Sequence, residues 1–302
     1  MKTNMKVLSL CFVLVLCMCA PGAGADKVIE MATTTSTQAS GLLDELLPEF
    51  EKDTGISMKV IAKGTGAALR DGMEGNVDVL FVHARGREEK FVLDGYGTAR
   101  YAVMHNDFVI LGPKSDPAGI KGMTNVSAVL AKIASSGSGF VSRGDDSGTH
   151  TKEQALWKAS GVPVEASTQK IVKKGREAEI TFVHPRGMAE WYHSIGQGMG
   201  KAIVFAEEKR AYVMSDRGTY IKYKFGSDQG LDLEVLCEGD SLLYNPYGVI
   251  PVNPEKFPHV KADLAEQFAR WLISRRGQGL IGAYRLEGRQ LFYPDVITVQ
   301  AP

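Results

Sequence analysis

Two short stretches decide the fold: Met31-Ala32-Thr33-Thr34-Thr35-Ser36-Thr37 and, about a hundred residues later, Ser142-Arg143-Gly144-Asp145-Asp146-Ser147-Gly148-Thr149-His150. Each stands between a short apolar run and a helix pattern. Each therefore reads as a strand end that turns into a helix start. The first backbone N–H groups of a helix lack intrahelical partners, and the helix dipole favours negative charge there. Two such ends facing one another, with one arginine, can enclose a small oxyanion.

Working outward from the first stretch, residues 28–32 read as a buried strand. Leu42, Leu43, Leu46, Leu47 and Phe50 then fall on one helical face, and Gly55 closes that helix. Pro48 inside the pattern predicts a kink or an early end. Residues 57–62 form the next strand, and Gly64-Thr65-Gly66 turns it into a short helix near Leu69. Residues 77–82 give a third strand, followed by a helix through Glu88, Phe91 and Val92. Strands alternating with helices imply parallel βαβ units.

Residues 105–113 are a longer extended run, read as a strand crossing into a second lobe. There the alternation repeats: a helix at 128–134, a strand at Phe140-Val141, the second turn, and a helix to Gly161. A further helix is expected through Met188, Trp191 and Tyr192, another within 202–212, and strands across 222–236. Residues 245–250 read as the return crossing. The pattern ends in an amphipathic helix whose face carries Leu264, Phe268, Trp271 and Leu272. The expected fold is α/β and two-lobed, each lobe a mainly parallel sheet flanked by helices, with the cleft between. Its divisions are 26–108 (lobe one), 109–239 (lobe two) and 240–302 (lobe one again).

The chain opens as an exported protein does. Lys2 and Lys6 precede an apolar run over 8–20, and Ala23-Gly24-Ala25 is an Ala-x-Ala cleavage site, so a signal peptide covers 1–25. Met18 argues against lipid attachment at Cys19. Three of the four cysteines leave with the signal; Cys237 stays, in the strand-like Leu233-Glu234-Val235-Leu236-Cys237, and reads as a small buried hydrophobe. A disulfide scaffold and a thiolate metal site are thereby disfavoured. The 35 basic and 35 acidic residues balance in the full chain, and losing Lys2 and Lys6 leaves it slightly acidic. No basic patch is dense enough for nucleic acid.

Five hydroxyls in succession, from Thr33 to Thr37, exceed what a helix cap needs. In an extended segment Thr34 and Ser36 point to the same side, so both are assigned as direct donors, with Thr35 contributing its N–H. Thr65 sits at a second strand end of the same lobe. In the second stretch Arg143 offers a planar fork of donors with a permanent charge. Ser142, Ser147 and Thr149 add hydroxyls, and Gly148 lets the backbone approach. Asp145 or Asp146 would orient Arg143 from behind. No Gly-Lys-Ser/Thr follows these glycines, and no Gly-x-Ser-x-Gly occurs, so neither a Walker loop nor a nucleophile elbow is present. The six histidines are scattered without zinc spacing. His150 is assigned a cap or surface role, and Arg217 a structural ion pair. Ser147 with His150 is the one pair a hydrolase reading would have, and it is poorly spaced for attack.

These residues resemble the tungstate-binding proteins of ABC importers, which share the type II periplasmic binding-protein fold with molybdate- and phosphate-binding relatives. The matching stretches are ATTTSTQASGLLDELLPEFE, VDVLFVHA, NDFVILGP, SRGDDSGTH, GQGMG, SDRGTY and NPYGVI. The resemblance implies oxyanion contacts from the TTTS run, the Thr65 turn and the 143–149 loop, with Asp145 supporting Arg143. It also implies an ABC permease driven by a cytoplasmic ATPase, a periplasmic location, no cofactor, no catalytic residue and no metal beyond tungsten as its oxyanion. Phosphate near neutral pH keeps a proton and benefits from a buried acceptor; tungstate and molybdate do not. The lobe-one segments hold no carboxylate, which favours an unprotonated dianion, with molybdate the nearest rival and sulfate or phosphate further off.

Overall fold

Strand β1 (Val28–Thr34) runs directly into α1 (Thr35–Ser40) and, after Gly41, α2 (Leu42–Thr54). The computed structural model describes residues 27–173, 176–187, 190–226 and 230–296; the signal segment expected over 1–25 lies outside them. The first half continues with β2 (Ser57–Lys63), α3 (Thr65–Met73), β3 (Val79–Val82), α4 (Arg85–Leu93) and the twelve-residue β4 (Tyr101–Gly112). The second half holds α5 (Val126–Ser136), β5 (Phe140–Ser142), α6 (Gly148–Ala159) and a hairpin of β6 (Val164–Lys173) and β7 (Arg176–Pro185). It goes on through β8 (Tyr192–Ser194), α7 (Met199–Lys209), β9 (Tyr212–Asp216), α8 (Arg217–Phe225) and β10 (Glu234–Cys237). Then β11 (Tyr244–Pro251), α9 (Ala262–Leu272) and α10 (Arg275–Ala283) return to the first half.

The main sheet has the order β2-β1-β3-β11-β4-β9-β5-β8. Its outer members pair in parallel, β1 with β2 and β3, and β5 with β8 and β9. Its centre is antiparallel, because β4 and β11 run against each other and against their neighbours β9 and β3. One strand serves both halves: β4 faces β11 as far as Asp107 and β9 from Phe108 on. The extended run expected at 105–113 falls in β4 as far as Gly112. Helices cover both faces. Phe50 of α2 and Phe268 of α9 meet on one face of the first half, with ring centroids 5.0 Å apart, while Leu69 and Phe91 of α3 and α4 are buried on the other. In the second half Ala202 and Ile203 of α7 lie on one side, and Leu130 and Trp157 of α5 and α6 on the other.

Several local expectations change. Pro48 neither ends nor splits its helix, which runs to Thr54 and closes on Gly55 at φ 68°. The lost backbone bond is offset by Leu46 and Phe50, both fully buried on either side of it. In place of the helix expected around Trp191 and Tyr192, Trp191 lies in a turn and Tyr192 opens the edge strand β8 (Met188 lies outside the described residues). Tyr192 stacks there on Phe140 at 5.8 Å, so burial of the rings decides the element. Among the described residues of the 222–236 stretch, the expected strands are present only as β10, because the part up to Phe225 belongs to α8, which Asp216 caps by accepting from the Thr219 N–H at 2.8 Å. Cys237 is buried as expected, and burial pushes its thiol up to about 11.

Candidate oxyanion site

The parallel register brings the ends of β1, β2 and β3 to one level, Thr34 opposite Lys63 and Thr33 opposite Phe81. Ligand sites in open α/β sheets form outside such carboxyl ends. Thr34 is the last residue of β1 and caps α1, its Oγ1 accepting from the Thr37 N–H at 3.1 Å. Ser36 is therefore helical rather than extended, and strand alternation does not pair it with Thr34. The cap does: the two hydroxyl oxygens lie 3.1 Å apart. Thr65 opens α3 at the end of β2 and is 1% exposed.

The second wall starts at β5. Asp145 accepts twice, from Arg143 Nη2 at 2.6 Å and from the Ser147 N–H at 3.2 Å. Ser147 in turn caps α6 by accepting from the His150 N–H at 3.2 Å. Arg143 Nη1 donates to Thr149 Oγ1 at 3.3 Å, which leaves the Thr149 hydroxyl proton free to donate elsewhere. Arg143 Nε is buried and has no hydrogen-bond partner among the described residues. The loop is held from outside: the Gln197 N–H donates to the Arg143 carbonyl at 2.9 Å and Gln169 Nε2 to the Gly144 carbonyl at 3.0 Å. Gly144 sits at φ +56°, where a Cβ would collide with Ser194 Oγ. His150 is buried, and its Nδ1 accepts from the Asp146 N–H at 3.1 Å, so it braces the loop.

These pieces enclose one cavity of about 600 Å³. From the first half Thr34, Thr35, Ser36 and Thr65 line it; from the second, Arg143, Asp145, Asp146, Ser147, Gly148 and Thr149 do. The walls nearly touch: a Cβ on Gly148 would lie 3.1 Å from Thr65 Oγ1 and 3.5 Å from the His83 ring. Ser142 does not join them. Residues 140 and 142 share one face of β5, and α6 covers that face. Phe140 packs on Trp157 at 5.1 Å, and the Ser142 hydroxyl donates to Glu153 Oε2 at 2.7 Å. Ser142 is thus a buttress beneath the loop rather than a cavity wall. Glu153 also accepts from Tyr192 and Trp157, and burial pushes its carboxyl up to about 7.

Over residues 21–276 the chain matches the PBP superfamily domain. It is 45% identical over 271 residues to the tungstate-binding protein TupA of Peptoclostridium acidaminophilum, spanning 88% of this chain and 85% of that one. The chain belongs to the tungstate-binding protein family of the PBP superfamily. A solved structure of the tungstate-binding protein TupA from Desulfovibrio alaskensis G20 shares its fold with a TM-score of 0.77 and 48% identity, covering 89% of this chain and 99% of that one. The tungstate ABC transporter structure from Geobacter sulfurreducens gives 0.71 and 47%, covering 86% and 100%.

Five members of the cavity of this PBP chain are not among the residues that the sequence assigned to it: Lys63, Ala67, Arg70, His83 and Gly198. Lys63 is tied to Asp71 at 2.5 Å. Gly198 caps α7, so a further helix start faces the cavity. His83 follows β3 directly, and its place after the third parallel strand of a βαβ series was the signal available for it. Arg217 pairs with Asp107 and Glu238, each at 2.6 Å, away from this cavity. Among the described residues no helix is long and apolar enough to cross a membrane.

Proposed function

We propose that this chain is an extracytoplasmic receptor that binds tungstate in the cleft and delivers it to an ABC permease powered by a cytoplasmic ATPase. The observation that carries this reading is Arg143. Its guanidinium is buried at the cavity wall, held by one carboxylate, with Nε still unpartnered. Around it stand the hydroxyls of Thr34, Ser36, Thr65 and Thr149 and the starts of α3 and α6. A buried dianion requires donors to nearly every oxygen, and charge-assisted bonds are the strong ones. Relatives named for tungstate, at 45% and 48% identity, support the choice among oxyanions.

On this reading the direct contacts come from Thr34, Thr35, Ser36, Thr65, Arg143, Ser147, Gly148 and Thr149. Asp145 backs Arg143, Asp146 lines the cavity opposite Gly66 without a bond to that arginine, and Ser142 acts through Glu153. Lobes at 26–108 with 240–302 and at 109–239 close about β4 and β11, and the closed form docks on the permease. The protein transports and does not turn over substrate. Exported material is tested by thermal unfolding with tungstate, molybdate, sulfate and phosphate in turn. A ligand at about a thousand times its Kd stabilises by roughly 4 kcal/mol. The expected order is a large upward shift with tungstate, less with molybdate and none with the others. A shift with phosphate alone, or with no anion, overturns the reading.

A further inference from the structure

His83 stands at the centre of the hydroxyl cluster that the tungstate reading uses. Its Nδ1 lies 3.0 Å from Asn245 Oδ1, and Asn245 Nδ2 donates to Asn106 Oδ1 at 2.6 Å. In this orientation of the two amides an acceptor faces the ring, and Nδ1 carries the hydrogen. In the neutral ring Nε2 is then an acceptor. It lies 3.0 Å from Thr34 Oγ1 and 3.2 Å from Ser36 Oγ. Each of those hydroxyls owns one proton, and Thr34 Oγ1 already accepts from the Thr37 N–H. A neutral His83 therefore takes a proton that an oxyanion would also need.

Protonation reverses this count. A ring carrying hydrogens on both nitrogens donates from Nε2 to a hydroxyl oxygen, Ser36 Oγ where the Thr37 hydroxyl 2.6 Å from Thr34 Oγ1 fills that oxygen's second acceptor site, and the hydroxyl proton that Nε2 had held turns to the ligand. The alternative, hydroxyls donating to the anion beside a bare Nε2, strands a buried acceptor. The bound dianion adds a field that favours imidazolium. We propose that His83 takes up a proton when the cleft binds its oxyanion and so couples affinity to pH; this rests on the tungstate reading above.

The surroundings are consistent with a ring that is neutral when the cleft is free. Burial lowers its basicity below the ordinary 6.5 and is the dominant effect. The Asn245 bond and the Asp216 charge oppose that, and the Arg143 charge adds to it. The Tyr247 ring stacks on His83 at 4.6 Å, and burial pushes its phenol well above the ordinary range, so it stays uncharged. Thr34 and Ser36 bring hydroxyls and no charge, and α6 approaches with the backbone of Gly148.

The test is calorimetric titration of the full exported chain with sodium tungstate between pH 6.5 and 8.5, in buffers of low and high ionisation enthalpy. Binding heats should differ between buffers and report uptake of up to one proton. Affinity should tighten as pH falls, approaching about tenfold per pH unit between the free and bound pKa values of the ring. His83→Gln, checked for an unchanged melting profile, should bind without proton uptake. Equal heats in both buffers with a flat affinity overturn the proposal while leaving the tungstate reading in place. Uptake that survives in His83→Gln also overturns it, since the proton then goes elsewhere. No binding at any pH overturns both readings.

Discussion

The ion pair behind the cavity sets up a measurable thermodynamic conflict. Arg143 Nη2 and Asp145 Oδ2 are 2.6 Å apart, with side chains only 10% and 12% exposed. Asp145→Asn removes the negative charge and keeps a carbonyl oxygen for the Ser147 N–H. Breaking a buried pair from one side costs about 3–5 kcal/mol, because the remaining charge is left uncompensated. With the backbone bond kept, the low end applies, about 3 kcal/mol. For a chain of this size that lowers Tm by roughly 6–12 °C. A bound dianion then supplies the missing countercharge, and a carboxylate that repels it is gone; at a few ångströms each such charge pair is worth about 1 to 4 kcal/mol. Tungstate should therefore raise the Tm of Asp145→Asn by more than it raises that of the native chain, closing most of the gap. Differential scanning calorimetry of both proteins, with and without saturating tungstate, measures both differences. A free variant melting within about 2 °C of the native chain would refute the buried-pair reasoning. A smaller tungstate shift in the variant would show that Asp145 matters by aiming Arg143, not by neutralising it.

Three further outcomes separate buttress from wall and locate a titrating group. Ser142→Ala should lower Tm by a few degrees, the cost of about 1–3 kcal/mol for a lost donor to buried Glu153, and leave the ranking of oxyanions unchanged. Thr65→Ala should do the reverse, with Tm nearly unmoved and tungstate affinity down about tenfold or more, as loss of a charge-assisted bond implies; calorimetry on the pair decides. Glu153 holds its proton to about 7 when folded, against 4.5 ordinarily. The folded state binds more protons than the unfolded chain between those values. Its contribution is thus full below about 4.5 and fades as pH rises through 7, a difference of roughly 3 kcal/mol. Melting curves of the native chain and Glu153→Gln should converge or cross as pH climbs from 5 to 7.5, and parallel curves would place the titration elsewhere.

The sequence by itself determined what depends on neighbours a few residues apart. The caps at Thr34 and Ser147 and the Arg143–Asp145 contact are bonds between residues two or three apart. Their chemistry is therefore written into the local order of hydroxyls, glycines and charges. The alternation of strands and helices, and with it the α/β fold, follows in the same way from periodicity. What only the tertiary structure decided is direction and adjacency. Ser142 turned from wall to buttress because β5 presents its even positions to α6, a matter of which face the helix covers. His83 joined Thr34 and Ser36 because β3 lies beside β1, 49 and 47 residues away along the chain. The antiparallel centre formed by β4 and β11 likewise depends on two segments far apart in sequence. Local pattern fixes which groups can bind an anion. Strand order and the packing of helices on the sheet fix which of them meet at one point, because only burial of the whole core selects that arrangement.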